Sequence, residues 1–478
     1  MKKGYLIVDI STGNASVGVA SIFGEVLALE SSVIQYQKDA DFPDNHFFQS
    51  QQMWEDTVQL MKQVLKKTAD VEILAISSTS QRQGIVLLDS QGHSLIGFPN
   101  IDNRGLEWES DIKDFEKVYG LTGRWISTLF SALKLRGVKE RQHHIWEKTA
   151  AFTSISDWIG YECTGNLVYE PSQASETSLF DVGQGKWSKE LCHLYGIEYD
   201  WLPEIRESGS VLGKIKPELA KELQLSPETL FIVGGADTQL AVKGTQPEVG
   251  DIVIVSGTTT PIIKVVDSYT VDHSARCWGN RYVDPNKFVI ETNAGVSGLN
   301  YQRLKKVFFP DKDYAEIEDE VLKLQNPTCV ASFGTLVFDK NLPLSKGGFL
   351  LDAPAHQDLT AADFVFAIVF DIACSIKHNF DVLLDISPSE KNFVLGCGGG
   401  FQGKVLPQLL ANLLQKEIRI KQEYMQASIA GSVIICNEAL QIENPCKSVL
   451  QTFAPTNNEH LHTLYQKWSA FRSKINER

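Results

Sequence analysis

The 478-residue sequence predicts an α/β protein with two similar domains. Two observations support this fold class. Short apolar, strand-like runs alternate along the chain with segments of helical periodicity. In addition, residues 5–21 and residues 251–268 share one layout, in which an apolar strand is followed by a hydroxyl-rich turn and a second strand. A unit repeated after about 245 residues indicates duplication, so we expect domains over residues 1–247 and 248–478.

The amino-terminal residues predict a three-stranded antiparallel meander. Apolar runs at residues 5–10, 15–22 and 26–34 are separated by the short turns STGN and FGE, which are rich in turn-forming residues. Residues 52–67 then carry apolar side chains at helical spacing, which predicts a helix with one buried face. Residues 72–77 predict the next strand.

The later segments continue the alternation of strands and helices. Residues 230–244 predict a strand, a glycine turn and a helix. A long apolar helix is expected over residues 361–386, followed by a strand, a glycine run and another helix. The segment ASIAGSVIICNEAL predicts a helix whose small residues allow close packing.

Charge and cysteine usage limit the class of protein. The chain has 45 basic and 59 acidic residues, a net charge of −14, whereas nucleic acids and anionic membranes attract basic surfaces. We therefore expect neither partner. The eight cysteines form no CxxC pair and are expected to be buried in a reducing compartment. The apolar stretch at residues 5–10 is too short for a signal-peptide core, and no run reaches membrane-spanning length. We expect a cytoplasmic protein.

The first candidate site is the turn Asp9-Ile10-Ser11-Thr12-Gly13 at the end of a buried strand. Backbone N–H groups and the Thr12 hydroxyl in such a turn can bind phosphate oxygens, and Asp9 can bind a metal ion. An ordinary hairpin uses the same residue types. Taken alone, this motif favours the hairpin.

The second candidate site, Ser256-Gly257-Thr258-Thr259, has the same ambiguity. Its position in the repeated unit changes the interpretation, because two facing turns on duplicated domains can hold a polyphosphate from both sides.

Asp237 lies in the run Gly234-Gly235-Ala236-Asp237-Thr238-Gln239, between a strand and a helix. A carboxylate there can act as a general base on a substrate hydroxyl. Aspartate is also a common helix N-cap, so both interpretations stay open.

The glycine run at residues 398–404 matches two nucleotide motifs. It fits G-x-G-x-x-G, which predicts dinucleotide binding, and it extends to the P-loop spacing. Val405 stands where a P-loop requires serine or threonine. A third interpretation is a glycine-lined floor for adenosine, formed by Gly398, Gly399 and Gly400.

Two polar clusters, residues 80–84 and 100–104, interrupt apolar segments. Convergent polar side chains suit a polyhydroxyl ligand, although surface loops are also polar.

Taken together, these segments resemble the FGGY carbohydrate kinases of the sugar kinase, heat-shock chaperone and actin superfamily. The resemblance covers nearly the whole chain in order, through LIVDISTG, SSTSQRQGIVLLDSQG, NIDNR, FSALK, ISDWIGYECTG, VYEPSQASETSLFD, VGGADTQLAVKG, VSGTTT and LGCGGGFQG. It implies two ribonuclease H-like, actin-like ATPase domains around a central interdomain cleft. The amino-terminal domain would bind sugar and the carboxyl-terminal domain ATP.

The resemblance also implies roles for individual residues. Asp237 matches the catalytic base, and Asp9 together with Asp237 would associate with Mg²⁺. The expected nucleotide contacts are Thr12, Gly13, Gly257, Thr258, Thr259, Gly398, Gly399 and Gly400. The expected substrate contacts are Arg82, Gln83, Asn100, Asp102, Asp237 and Thr238.

Some positions depart from the family pattern. Ser11 stands where the first turn usually carries glycine, which puts the rate of turnover in doubt. Gln83 and Asn100 replace the acid and tryptophan typical of glycerol kinases, so glycerol is disfavoured. The segments around residues 155–182 and NIDNR are most similar to the autoinducer-2 kinase branch and related orphan sugar kinases.

The expected function is ATP-dependent phosphorylation of a hydroxyl of a small sugar, ketose or polyol, with ATP and Mg²⁺. The alternatives are an NAD-dependent oxidoreductase that uses the GGGFQG turn and a non-catalytic actin-like nucleotide-binding protein. A homodimer is a further expectation.

Overall fold

The structure, a computed structural model, describes residues 2–43, 45–334, 346–355, 357–456 and 458–476. The strands of the amino-terminal half are β1 Lys2–Ile10, β2 Asn14–Ser21, β3 Val26–Val33, β4 Gln37–Lys38, β5 His46–Phe47, β6 Val71–Ser80, β7 Ile85–Asp89, β8 Ser94–Phe98, β9 Thr149–Ser154, β10 Val168–Tyr169, β11 Phe180–Asp181, β12 Lys186–Trp187, β13 Glu204–Ile205, β14 Val211–Lys214 and β15 Leu230–Ala236. Its helices are α1 Ser50–Lys67, α2 Phe115–Thr122, α3 Ser131–Arg141, α4 His143–Trp146, α5 Ile155–Thr164, α6 Pro171–Ala174, α7 Lys189–Tyr195, α8 Pro217–Leu223 and α9 Asp237–Gly244.

The carboxyl-terminal half repeats the pattern with longer helices. Its strands are β16 Ile252–Val255, β17 Thr259–Val266, β18 Trp278–Arg281, β19 Phe288–Val296, β20 Val330–Ser332, β21 Gly348–Leu350, β22 Phe393–Cys397, β23 Glu417–Lys421 and β24 Val449–Phe453. Its helices are α10 Gly298–Phe308, α11 Tyr314–Leu322, α12 Ala361–Ile386, α13 Val405–Leu414, α14 Ala427–Ala439 and α15 Glu459–Asn476.

The two large sheets share one topology. Their strand orders are β14-β15-β6-β1-β2-β3 and β18-β19-β17-β16-β22-β23-β24. In each sheet the first strand, β1 or β16, pairs antiparallel with the strand that follows it and parallel with the strand on its other side. The order β3-β2-β1-β6-β15 therefore matches β19-β17-β16-β22-β23. The predicted duplication is confirmed, while the boundary at residue 247 stays a prediction.

Strand β1 is buried on both faces, which explains its continuous apolar run. Leu6 and Val8 belong to a core cluster that includes Met61 of α1. Tyr5 and Ile7, which alternate with them, pack in a different cluster formed with α14. Alternation of side chains along a strand places these two sets on opposite faces.

Helix α14 joins the two halves. It belongs to the carboxyl-terminal part of the sequence, but it packs against α9 and against β1, β6 and β15 of the first sheet. A methyl group added at Gly431 would lie 1.9 Å from the carbonyl oxygen of Leu240 on α9. The small residues therefore permit the close helix crossing that the sequence predicted.

The expectation of buried cysteines is met at seven positions and is wrong at one. Seven of the cysteines are buried and Cys446 is exposed, and all eight are free. None of the helices that the structure describes combines the length and the apolar character needed to cross a bilayer.

Candidate active site

Strand register brings distant motifs to one edge of the first sheet. Ile10 at the end of β1 aligns with Ser80 at the end of β6, and Ser80 aligns with Ala236 at the end of β15. These strands are parallel, so the residues that follow them emerge at the same edge. The first turn, Arg82 and Asp237 lie close together for this reason.

Asp237 is the first residue of α9, and Ala236 occupies the N-cap position without a side-chain cap. The Asp237 carboxylate accepts hydrogen bonds from the Thr238 backbone N–H at 2.6 Å and from the Thr238 hydroxyl at 3.0 Å. Burial raises the pKa of Asp237, and the positive charge of Arg82 opposes this shift. Asp237 is therefore not the structural N-cap, and its environment suits a proton acceptor.

Asp9 presents one satisfied and one unsatisfied carboxylate oxygen. Its Oδ2 accepts a hydrogen bond from Ser428 Oγ at 2.7 Å. Its Oδ1 is buried, and none of the described residues donates a hydrogen bond to it. The pKa of Asp9 is raised to about 7, chiefly by burial. The hydrogen bond from Ser428 acts to lower this pKa, and the negative charge of Asp237 acts to raise it further. An unpaired buried carboxylate oxygen near a second carboxylate fits a hydrated Mg²⁺, which uses one or two carboxylates plus phosphate oxygens.

The first turn is held by three polar side chains. Tyr36 donates to the carbonyl oxygen of Thr12 at 2.8 Å, and Gln81 Nε2 donates to that of Ser11 at 3.2 Å. Asn100 Nδ2 donates to the Thr12 hydroxyl at 2.9 Å. Gln81 also joins the other two, because its Nε2 contacts the Tyr36 hydroxyl and its Oε1 accepts from the Asn100 backbone N–H. These bonds therefore fix the turn through two of its carbonyl groups and through the Thr12 hydroxyl.

Ser11 fits this turn without strain. Its hydroxyl donates to the Asn14 carbonyl oxygen at 3.0 Å and accepts from the Asn14 N–H at 3.2 Å. Ser11 is not among the described non-glycine residues with positive φ, so this position does not require glycine. Gly13 is exposed, and a methyl group on it would meet no atom within 4 Å, which leaves space for a ligand beside the turn.

The second turn packs directly on the glycine run. Ser256 donates its N–H to the Cys397 carbonyl at 2.8 Å, and Gly400 donates to the Ser256 carbonyl at 3.1 Å. Gly398 has φ 94°, and a methyl group there would lie 2.5 Å from the Ser256 oxygen. Gly399 is different, because a methyl group at its Cα would meet no atom within 4 Å. Gly398 and Gly400 thus serve packing, and Gly399 faces open space.

A cavity of about 400 Å³ lies beside the second turn and the glycine run, in the carboxyl-terminal half. Gly257, Thr258, Gly399 and Gly400 line it among the predicted residues. Further lining residues, which the sequence did not reveal, include Tyr301, Gln302, Tyr314 and Glu318. A mostly apolar pocket with a few polar groups is the expected form of a small-molecule site.

The local structure also favours one of the nucleotide motifs. The glycine run follows β22, Gly399–Phe401 within the run form a short 3₁₀ helix, and α13 begins only at Val405. Strand β22 pairs parallel with β16 and β23, but in a dinucleotide-binding turn the glycines open the helix and the pyrophosphate lies at its N-terminus. The geometry therefore favours the glycine floor over the dinucleotide turn.

The predicted substrate residues occupy different environments. Arg82 contacts two buried glutamates, Glu176 and Glu291. Gln83 has φ 64°, which non-glycine residues adopt rarely, and it donates to Glu176 Oε2 at 2.6 Å. Asp102 is fully buried, and its carboxylate binds Arg104. Its substrate role stays a prediction, although this pairing shows a structural function.

Three residues of this site, Glu176, Glu291 and Ser428, were not predicted from the sequence. Glu176 lies in the run SETSLFD, and Glu291 and Ser428 lie in a strand and a helix without a local motif. Their partners are 94, 209 and 419 residues away in sequence, so no spacing pattern could identify them.

The profile of the FGGY family of carbohydrate kinases, N-terminal domain, matches residues 4–244. The sequence is 46% identical to YoaC of Bacillus subtilis, which is named only as a candidate sugar kinase. The match covers 98% of this chain and 96% of that relative. The chain belongs to the FGGY family of carbohydrate kinases. The predicted family is thus confirmed, and the kinase interpretation is favoured over both alternatives.

More distant FGGY relatives agree with the fold. The autoinducer-2 kinase of Salmonella paratyphi A is 24% identical over 85% of this chain and 81% of its own length. A ligand-bound xylulose kinase from Lactobacillus acidophilus superposes with a TM-score of 0.86 at 19% identity, covering 99% of this chain and 98% of the other. The two-domain actin-like ATPase fold is confirmed. Homodimer formation and cytoplasmic location stay predictions.

Proposed function

We propose that this FGGY kinase transfers the γ-phosphoryl group of ATP to a hydroxyl of a small sugar, ketose or polyol. The observation that carries the proposal is the convergence of Asp237, Asp9 and the first turn at one sheet edge. The charge of Arg82 acts to lower the pKa of Asp237, and the charge of Asp237 acts to raise the pKa of Asp9. Two carboxylates with different hydrogen-bond partners suit different roles.

Asp237 is proposed as the general base. It accepts the proton of the substrate hydroxyl as that oxygen forms a bond to the γ-phosphorus, while the bond to the leaving ADP oxygen breaks. Its anchoring by Thr238 at the first position of α9 fixes its orientation. Proton transfer from a positioned base accelerates a reaction about 10²–10⁴-fold.

Asp9 is proposed to hold Mg²⁺, with Asp237 as the second carboxylate. Bound Mg²⁺ supplies positive charge that offsets the charge of the phosphate oxygens. Ser428 keeps one oxygen of Asp9 oriented through its hydrogen bond, which leaves Oδ1 for the cation.

The first and second turns are both proposed to bind the phosphates of ATP, each from its own half of the protein. Thr12 and Gly13 approach the phosphates from the amino-terminal half, and Thr258 and Thr259 approach from the carboxyl-terminal half. Gly399 and the adjacent cavity would hold adenosine. Under this proposal, residues 248–478 would bind most of the nucleotide, and residues 1–247 would bind the sugar.

The direct test is ADP release from ATP and Mg²⁺ with a panel of ketoses, polyols and aldonates. We expect at least one panel member to stimulate ADP release well above the rate without sugar. ATP binding without stimulation by any panel member would contradict the proposal and favour a non-catalytic nucleotide-binding protein.

A further inference from the structure

Helix α9, which begins with the proposed base, does not fix its own start. Ala236 occupies the N-cap position, and its side chain makes no capping hydrogen bond. In a capping box, a glutamate or glutamine at the third helical position accepts the backbone N–H of the N-cap residue. Gln239 stands at that position, but it is fully buried, and neither polar atom of its side chain has a hydrogen-bond partner among the described residues. Another element must therefore accept the Ala236 N–H, because buried backbone donors are almost always paired.

Ser172 of α6 accepts this hydrogen bond. Its Oγ lies 3.0 Å from the Ala236 nitrogen. A methyl group added at Gly235 would lie 3.3 Å from the same Oγ, so α6 approaches the end of β15 closely. Ser172 in turn donates to Glu170 Oε2 at 2.5 Å. Since the hydroxyl has only one proton, donating it to Glu170 leaves a lone pair for the Ala236 N–H. A continuous chain of hydrogen bonds thus runs from Glu170 to the residue before Asp237.

Glu170 is itself held by backbone groups. Its Oε2 also accepts the N–H of Gln173 at 3.0 Å, and its own N–H donates to Asp157 Oδ2 at 3.1 Å. Glu170 and Ser172 are both fully buried, so neither side chain can contact a substrate directly. Any effect of these two residues on the reaction must pass through Ala236.

The segment that carries Ser172 is also bonded to the end of β6. Gln173 Nε2 donates to the carbonyl and hydroxyl oxygens of Ser80, at 3.2 and 3.0 Å. Ser80 ends β6 and precedes Gln81, whose amide bonds to the first turn. Because Ser172 and Gln173 are neighbours, one short segment holds both Ala236 and Ser80. The start of α9 therefore has a fixed position relative to the first turn.

We propose that Glu170 and Ser172 are positioning residues for the base, Asp237. This inference rests on the proposed function and adds two residues to it. Ser172 fixes the Ala236 peptide group, and Glu170 fixes the direction of the Ser172 hydroxyl. Asp237 is the next residue along the chain, and a misplacement of about 1 Å at a reacting group can lower a rate about 100-fold.

Ser172→Ala removes the acceptor of the Ala236 N–H without adding bulk. We expect kcat on an identified acceptor to fall about 10- to 100-fold, with the dissociation constant of metal-free ATP changed less than about threefold. Thr57→Val is the matched control, because it removes a fully buried hydroxyl that bonds to the Met53 carbonyl oxygen at 2.7 Å within α1. It should lower stability and keep kcat. A folded Ser172→Ala enzyme with the kcat of wild type would overturn the inference.

Glu170→Gln and Glu170→Leu separate the hydrogen bond from the space that the side chain fills. The glutamine oxygen can still accept from Ser172, so kcat should stay within about threefold of wild type. Leucine removes the acceptor, so kcat should fall at least about tenfold. Equal kcat values in these two variants would overturn the role of Glu170. If Ser172→Ala or Glu170→Leu does not fold, Ser172→Cys decides, because a thiol fills the site but hydrogen-bonds weakly. A wild-type kcat in Ser172→Cys would then overturn the inference.

Hydrogen–deuterium exchange of peptides that cover residues 230–244 tests the contact without a substrate. Loss of the Ser172 bond should accelerate exchange at the start of α9, and Thr57→Val should leave it unchanged. If Ser172→Ala accelerates exchange but no sugar stimulates ADP release by wild type, the contact stands, and phosphotransfer fails together with the positioning role. If Asp237→Asn abolishes activity while Ser172→Ala keeps the kcat and the exchange rate of wild type, the proposed function stands and the positioning role fails.

Discussion

Ser428 on α14 donates a hydrogen bond to Asp9 on β1, with its Oγ 2.7 Å from Oδ2, although the two residues are 419 positions apart in sequence. The bond connects a helix from the end of the chain to the first turn. Because α14 also packs on α9, the same helix contacts the elements that carry both proposed catalytic carboxylates. The relative position of Asp9 and Asp237 therefore depends on how α14 packs.

Ser428→Ala should weaken the binding of Mg·ATP. The hydrogen bond lowers the pKa of Asp9, opposing burial, so its loss leaves less carboxylate near neutral pH. Hydrogen bonds to charged groups contribute about 1.5–3 kcal/mol, and we expect the Mg²⁺ concentration for half-maximal rate to rise about tenfold. Ser473→Ala is the control, because that exposed hydroxyl bonds to a carbonyl oxygen within its own helix, α15. An unchanged Mg²⁺ dependence would argue against the role of Asp9.

Asp237→Asn should remove general-base catalysis and leave the binding of metal-free ATP intact. We expect kcat to fall about 10²–10⁴-fold, with the dissociation constant of ATP, measured without Mg²⁺, changed less than about threefold. Steady-state kinetics on an identified substrate and calorimetry with ATP measure the two quantities. Asp70→Asn changes an exposed aspartate at the end of the loop before β6 and should retain wild-type kinetics. Activity of Asp237→Asn within tenfold of wild type would refute the assignment.

Tyr36→Phe should loosen the first turn. It removes the hydroxyl that donates to the Thr12 carbonyl and contacts Gln81. The loss of one hydrogen bond costs about 1 kcal/mol of free energy, so we expect the KM for ATP to rise about fivefold. Tyr161→Phe removes a comparable hydroxyl that donates to Gly92 at 2.9 Å and should affect only stability. Equal KM values in the two variants would show that the turn does not depend on Tyr36.

Gly398→Ala and Gly399→Ala should separate folding from binding. Alanine at 398 meets the Ser256 oxygen and requires a positive φ, so we expect a loss of about 1–3 kcal/mol in unfolding free energy. Alanine at 399 meets no protein atom within 4 Å, so stability should change by less than about 0.5 kcal/mol. A bound adenosine would contact that methyl group, and the KM for ATP should rise. If both variants are equally stable, the packing role of Gly398 is wrong.

Glu170 should make stability depend on pH. The side chain is fully buried, and burial raises its pKa to about 8 despite hydrogen bonds from Ser172 and Gln173. The unfolded chain loses this proton near pH 4.3, so between about pH 4.5 and 8 the folded state binds more protons. Stability contributed by protonated Glu170 is complete below the unfolded pKa and declines as pH rises through the folded pKa.

Glu170→Gln should therefore become more stable relative to wild type as pH rises from 5 to 8. Each unit of pKa difference corresponds to about 1.4 kcal/mol. Urea unfolding at pH 5, 6.5 and 8 measures the difference, with exposed Glu204→Gln as the control. A difference that does not grow with pH would show that Glu170 is not protonated in the folded protein.

Local patterns were sufficient to predict most elements of the fold. The long apolar helix expected over residues 361–386 is Ala361–Ile386, and the helix expected over residues 52–67 is Ser50–Lys67. The strand expected at residues 72–77 extends over Val71–Ser80. Periodicity and turn residues act over a few positions, so a single sequence contains this information.

The sequence by itself determined the two repeated turns, the Asp237 segment and the family, because each depends on short runs in a fixed order. Tertiary structure decided which interpretation of the glycine run is favoured, since that required the position at which α13 begins relative to the glycines. It also revealed the contacts of Ser428 with Asp9 and of Glu291 with Arg82. Charge balance and hydrogen bonding at the site arise from residues hundreds of positions apart, and only folding brings them within a few ångströms of each other.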